Sequence, residues 1–429
     1  MITYCEYKES GTPWLGEVPS HWRIERAKWH FSIRNERGNA EPVLLAATQK
    51  NGMYPQEKVD GVVKVADGTD IQQFKTVHKG DFVISLRSFQ GGFERSDFEG
   101  VCSPAYQVFF ADQTVWDNDY LKFLFKDVHF VDAMNALTVG IREGRNIKFE
   151  DFANSLIAIP PRVEQLAIAE HLTARTQQID AIISEAKASI EEYKAWKASI
   201  IYEAITKGLE PKAEMVANGS KWIPETPVGT KVSRVGLHYD IVLGKMLCPD
   251  QVDKTYTLEP YFCAANVHFS GVETGNLKEM WFNPKEKELY KVELEDLLVV
   301  EGGAGAGGSA IVQECNRETY IQNSIMIVRG RRGNNNGFLK YVLESLVGRG
   351  YVDFACNKAT IPHFTKEKLG NTPYPVFAPD DQIRITTYLD EQCGSINALI
   401  SEKEALISDL EAYKKALIFE VVTGKRKVC

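Results

Sequence analysis

No apolar run in the 429 residues approaches the roughly 18 needed to cross a bilayer, and the start, Met1-Ile2-Thr3-Tyr4-Cys5-Glu6, has neither a basic nor an apolar leader region. A non-exported, cytoplasmic protein without membrane attachment is expected. The eight cysteines lie far apart and form no C-x-x-C pair, which argues against a zinc ribbon or a disulfide framework and fits a reducing compartment. The eight histidines are scattered with no i, i+4 pair, so no metal site is expected. Positive charge is not in excess either: 50 Lys and Arg against 58 Asp and Glu give −8. A free-standing nucleic-acid binder is usually basic, so any phosphate-binding surface here is local or shared with a partner. Gly and Pro, 32 and 17 residues, are at ordinary globular levels, which argues against long disorder, and the length leaves room for two or three folded domains.

What the chain does contain is a duplication. Shifted by 217, residues 159–207 meet a C-terminal copy without a gap: Gln165 falls on Gln382, Leu172 on Leu389, Ile179 on Ile396, Ile183 on Ile400, Lys197 on Lys414 and Thr206 on Thr423. Shifted by 208, Trp14-Leu15-Gly16-Glu17-Val18-Pro19 meets Trp222-Ile223-Pro224-Glu225-Thr226-Pro227, with Ile24 on Val232 and Arg26 on Arg234. The middles, roughly 23–158 and 231–375, diverge more but keep their landmarks. Lys79-Gly80-Asp81-Phe82-Val83-Ile84-Ser85 corresponds to Leu294-Glu295-Asp296-Leu297-Leu298-Val299-Val300, each read as a turn and a short apolar strand. Their β-branched and aromatic runs, punctuated by Gly, Asn and Asp, predict α/β or β-rich globular domains.

Residues 162–206 contain no Gly or Pro and carry Leu172, Thr176, Ile179, Ile183, Ala186, Ile190, Tyr193, Lys197, Ile200 and Ala204 at alternating spacings of four and three, a heptad seam. Leu389, Cys393, Ile396, Ile400, Lys403, Ile407, Leu410, Lys414, Leu417 and Val421 repeat it. Pro160 and Pro161 precede the first helix, Pro379 opens the second, and Gly208 and Gly424 stop them. At 1.5 Å per residue each spans about 67 Å, more than one small domain. The linker 209–221 covers at most about 45 Å and cannot return to the start of the first helix. The expectation is an α+β protein with two globular domains joined by an antiparallel coiled coil with a pseudo-twofold axis. The boundaries are 1–158, 159–208 (first helix), 209–375 and 376–429 (second helix). Lys197 and Lys414, in the seam, either set register or snorkel outward.

Pro19-Ser20-His21-Trp22 after Gly16-Glu17, the Ile159-Pro160-Pro161…Glu164-Gln165 approach to a long helix, the Gly80-Asp81 strand and the duplicated plan together resemble the specificity subunit of type I restriction-modification systems, over essentially the whole chain. The second copy departs by carrying Ala378-Pro379-Asp380-Asp381-Gln382 at the helix start. The resemblance implies two target-recognition domains on double-stranded DNA, each reading one half of a split site. It also implies a coiled coil that sets the gap, repeated ends that bind two methylation subunits, and restriction subunits added in the full complex.

No catalytic residue or cofactor site is expected. Asn371-Thr372-Pro373-Tyr374 and Ser103-Pro104-Ala105-Tyr106 each miss one proline of the adenine amino-methylation tetrapeptide, and no F-x-G-x-G loop accompanies them. Glu192-Tyr193-Lys194 is an isolated match to a nuclease pattern on the expected coil. Gly302-Gly303-Ala304-Gly305-Ala306-Gly307-Gly308-Ser309 lacks the G-K-[ST] ending of a phosphate loop. Both a loop able to approach a groove and a plain surface loop stand open for it.

Base edges are read by Arg, Asn, Gln, Ser or Thr on loops, with Lys and Arg on phosphates. The first-domain candidates are Arg87, Ser88 and Gln90 after the Gly80 strand, with Arg142, Arg145, Asn146 and Lys148. In the second domain they are Gly305 and Ser309 of the glycine loop, Asn357, Lys358 and Thr360, and the basic Arg331 and Arg332 beside Arg329. Partner candidates are Trp14 and Trp22, their counterpart Trp222, and Trp196 and Tyr413 on the coil. These aromatics either form an interface or lock each domain onto its helix. Two other functions compete: a self-contained methyltransferase or nuclease, and a coiled-coil scaffold without sequence-selective DNA binding.

Overall fold

The computed structural model describes residues 3–37, 43–49, 51–59, 71–137, 147–315, 317–356 and 362–428. Its contacts divide the chain into two units, Met1–Lys187 with Glu404–Cys429 and Ala188–Lys403. The fold is α+β with two long helices, Arg162–Lys207 and Pro379–Val422. Both end before glycines with positive φ, Gly208 at 71° and Gly424 at 73°, where a side chain would be strained. Burial follows the expected seam: Leu172, Thr176, Ile179, Ile183, Ala186 and Ile190 are buried, as are Leu389, Cys393, Ile396, Leu417 and Val421.

In the first unit a four-stranded antiparallel sheet orders Phe31–Arg34, Gln107–Ala111, Phe82–Ile84 and Glu94–Arg95. Its core is aromatic, with Phe31, Phe82, Phe93, Phe109, Phe125, Phe130 and Phe152 in mutual ring contact. The strand Arg23–Arg26 pairs with Leu156–Ile159, which leads directly into the first long helix. That helix and the end of the second run antiparallel here. Arg162, in the first turn of one, donates to the Gln113 carbonyl at 2.8 Å, and Val422, the last residue of the other, accepts from Tyr120 at 3.0 Å. Further along, Lys414 pairs with Asp180 at 2.7 Å.

The second unit repeats the plan. Its four-stranded sheet orders Tyr239–Leu243, Ile325–Gly330, Leu297–Val300 and Ser309–Ile311, and Lys231–Arg234 pairs with Pro373–Val376. Ile201, Ala204 and Ile205 of the first long helix share a core with Ile385, Leu389 and Cys393 of the second. Just past the end of the first, Glu210 meets Arg384 near the start of the second at 3.2 Å, so this pairing is antiparallel too. Lys197 takes a partner not foreseen from the seam, Glu344 of the helix Asn336–Gly348, at 3.2 Å.

One construction recurs with a single change of acceptor, from a backbone to a side-chain oxygen. Gln165 is fully buried; its carbonyl accepts from the Asp117 amide at 2.8 Å, and its amide donates to Pro160 and Val115. Gln382, equally buried, accepts from the Asn335 amide at 2.8 Å and donates to Phe377 and to the Asn334 side chain. Asp117 and Asn335 are each the N-cap of the helix that packs on the long one.

Candidate nucleic-acid interface

After the strand Phe82–Ile84 the first unit makes a single helical turn, Ser88–Gly91, with Arg87 at its N-cap. Ser88 is buried and its hydroxyl accepts from the Ser85 amide at 2.7 Å, so this residue builds the turn and does not face solvent. Leu86, Arg87, Phe89 and Gln90 are exposed. Gly92, at φ 79°, closes the turn, and a Cβ there would stand 1.9 Å from the Phe125 carbonyl oxygen. Lys148 is the exposed N-cap of the helix Phe149–Asn154, whose first amide donates to the Gln107 side chain at 2.6 Å. Gln107 follows Tyr106, a phenol pushed up by burial against the opposing pull of Arg87. Arg87 and Lys148 thus gather at the Tyr106–Gln107 end of the sheet. Arg142, Arg145 and Asn146 lie outside the described residues.

In the second unit the glycine loop leaves the equivalent sheet end, after Val300. Gly305 is exposed, whereas Ala306 faces the core and Ser309 is fully buried. Gly307, at φ 84°, has no room for a side chain: a Cβ would lie 2.7 Å from Val352 Cγ2. Gly303 donates its amide to the Pro362 carbonyl at 3.2 Å, and Phe364 donates back to Glu301 at 2.6 Å. Asn357, Lys358 and Thr360, just before this anchor, lie outside the described residues.

Arg331 and Arg332 are not brought to that loop. Val300 pairs with Ile325, so the loop sits at the start of the strand Ile325–Gly330 and the arginines follow its other end, about 20 Å away by strand rise. Both Arg331 Nε and Nη2 bond Asp240 Oδ1, at 2.9 and 2.6 Å, and this fork holds the Asp240 carboxyl below its ordinary range. Arg329 is likewise forked onto buried Asp296. The turn before Asp296 uses Glu295 at φ 65° where the first copy has Gly80 at 94°.

The aromatic candidates separate into two kinds. Trp22 is fully buried and donates to Glu164 at 3.0 Å; Trp14 packs on Phe130. Trp222 packs edge-on against Tyr351, and its carbonyl accepts from Arg349. These three fasten each unit's leading segment to that unit. Trp196 and Tyr413 are about half exposed, at 50% and 49%. The structure adds a matched pair that residue type alone does not disclose: Trp29 and Leu237, 64% and 70% exposed, hold corresponding positions at the 208-residue shift, each in a short turn directly after a strand, Arg23–Arg26 in one unit and Lys231–Arg234 in the other.

Among the described residues no helix is long and apolar enough to cross a membrane, and no group of three or more His, Cys, Asp or Glu is placed to hold a metal ion.

No family model matches the chain, and no curated protein matches it. Solved structures do. A chain from a structure of a type I R-M system, concerned with complex assembly and conformational transition, is 16% identical, with a TM-score of 0.69 over 94% of this chain and 98% of that one. The HsdS subunit from Thermoanaerobacter tengcongensis is 17% identical, with a TM-score of 0.52 over 95% of this chain and 98% of that one. The likeness covers both halves and both long helices, and it establishes a shared fold.

Proposed function

We propose that the chain is the DNA sequence-specificity subunit of a type I restriction-modification complex. Each globular region reads one half of a bipartite site, and the long helices space the halves and dock methylation subunits, to which restriction subunits attach. One observation carries the reading: a repeated frame, matched down to the Gln165 and Gln382 locks, surrounds two sheets whose corresponding loops share no chemistry, Leu86-Arg87-Ser88-Phe89-Gln90 in one and a glycine run in the other. A repeated frame suits two copies of one partner, and unlike loops suit two different half-sites. Similarity of fold to an HsdS subunit over 95% of this chain supports the same conclusion.

In the first region, exposed Arg87 and Gln90 have the donors for base edges and Lys148 suits a phosphate. In the second, the exposed stretch Ala304–Gly305 lets backbone come close to a groove. Arg331 would have to leave Asp240 before serving DNA. Trp29 and Leu237, with Trp196 and Tyr413, are exposed at matched positions, as a partner present in two copies requires. The chain itself performs no chemistry in this reading, and the cytoplasm is its compartment.

Purification from the native host tests this. The expected result is one copy of this chain with two of a partner, a complex that transfers methyl groups from S-adenosylmethionine to DNA, and no transfer by the chain alone. Transfer by the pure chain, or a complex without sequence-selective DNA binding, would overturn the proposal.

A further inference from the structure

Below the exposed turn Ser88–Gly91 lies a charge pair that the sheet does not need. Glu94, on the edge strand, is 3% exposed, and among the described residues its Oε2 has no hydrogen-bond partner. Its Oε1 meets Lys126 Nζ at 2.6 Å. The same ammonium donates to the Gly91 carbonyl at 2.9 Å, and Asn135 donates to the Phe89 carbonyl at 2.8 Å. A four-residue helix leaves most of its carbonyls without internal partners, and two of these, Phe89 and Gly91, are taken by side chains from elsewhere. Burying a carboxylate with an empty oxygen costs stability, and an apolar residue at 94 would pack the edge without that cost. In the second unit, residues 309 and 310 of the corresponding strand are Ser and Ala, and the loop is shaped by glycines with positive φ.

We propose that Glu94 and Lys126 are positioning residues for the first reading turn: Glu94 holds Lys126, Lys126 holds the Gly91 carbonyl, and the turn so fixed presents Arg87 and Gln90 at one orientation. The inference rests on the function proposed above. Burial lifts the Glu94 carboxyl above its ordinary range, and Lys126 draws it only partly back. A turn of four residues has no stability of its own. Contacts to base edges lose their value when a donor is displaced by an ångström.

The test uses the full chain with its co-purifying partners and a duplex site obtained by selection from a random pool. Competition binding then compares that site with duplexes altered in one half or the other. Arg87→Ala identifies the half read by this turn. Glu94→Gln and Lys126→Met are expected to lower discrimination in that same half by about tenfold and to leave the other half, an internal control for folding, unchanged. Unchanged discrimination in both halves for both variants overturns the positioning role, and so does equal loss in the two halves, which marks general support of the fold. If Arg87→Ala affects neither half, the turn is not a reading element and the proposal falls with it. If the wild-type complex selects no sequence, the functional reading itself has failed. Should Lys126→Met not fold, Glu94→Gln decides alone.

Discussion

Glu164 takes three donors at once: Trp22 Nε1 at 3.0 Å, Tyr4 OH at 2.8 Å and His21 Nε2 at 2.6 Å. Burial alone would raise this carboxyl, but the donors outweigh it and hold it below the ordinary range. A native pKa below the unfolded one gives a contribution that is full above the unfolded value and is lost as pH falls through the native one. Wild-type stability is therefore expected to drop relative to Glu164→Gln as pH falls below about 5. Denaturant titrations across that range measure it, and parallel curves would contradict it. At neutral pH, Glu164→Ala is expected to cost about 2 kcal/mol, because buried Trp22 loses its acceptor. On DNA, Arg87→Ala is expected to weaken binding to the cognate site by about 1–3 kcal/mol, read by titration against a labelled duplex; unchanged affinity and preference would remove Arg87 from the interface.

At the scale of elements, the Gln165 and Gln382 locks join a long helix to the cap of a short one in each unit. Gln165→Leu and Gln382→Leu keep the volume but leave a backbone amide and two acceptors unmet, which is expected to cost about 3 kcal/mol each. Hydrogen exchange should localise each loss, to the Asn118–Leu124 helix for the first and the Asn336–Gly348 helix for the second. Loss spread evenly over the chain would contradict it. Much of this level was legible in the sequence. A stretch free of Gly and Pro, bounded by Pro160-Pro161 and Gly208, has few alternatives to one helix, and its heptad positions are buried from Leu172 to Ile190, though Tyr193, Lys197 and Ile200 are only half-buried. The Gln165–Gln382 match was visible as repetition, but its meaning was not, because the partners lie 48 and 47 residues away.

The same limit applied to the candidate site. Arg87 and Gln90 were legible as polar loop residues after a strand, while buried Ser88 and Ser309 had the right chemistry and the wrong orientation. Arg331 looked like a free cation because Asp240, its partner, is 91 residues away. Lys126 and Glu94 carried no signal, since their pairing exists only once the strand and the turn after the Asn118–Leu124 helix have met. Trp29 and Leu237 share no side-chain type, and only their common exposure at matched positions distinguishes them.

For the whole molecule, duplication with divergence is the physical content of the account: one polypeptide offers two similar sheets whose corresponding loops are free to differ. Two consequences follow from that asymmetry. A substitution at Arg87 or Gln90 should alter one part of the recognised sequence, and an insertion in the Gly303–Gly305 loop the other, without cross-effects; selection on each variant reads this out, and changes in both parts from either variant would contradict it. The most direct test is a map of methylated adenines in DNA from cells expressing this chain with its partners. Two short defined segments of unrelated sequence, separated by a constant number of unspecified base pairs, are expected. A single continuous sequence, or methylation without sequence preference, would contradict this.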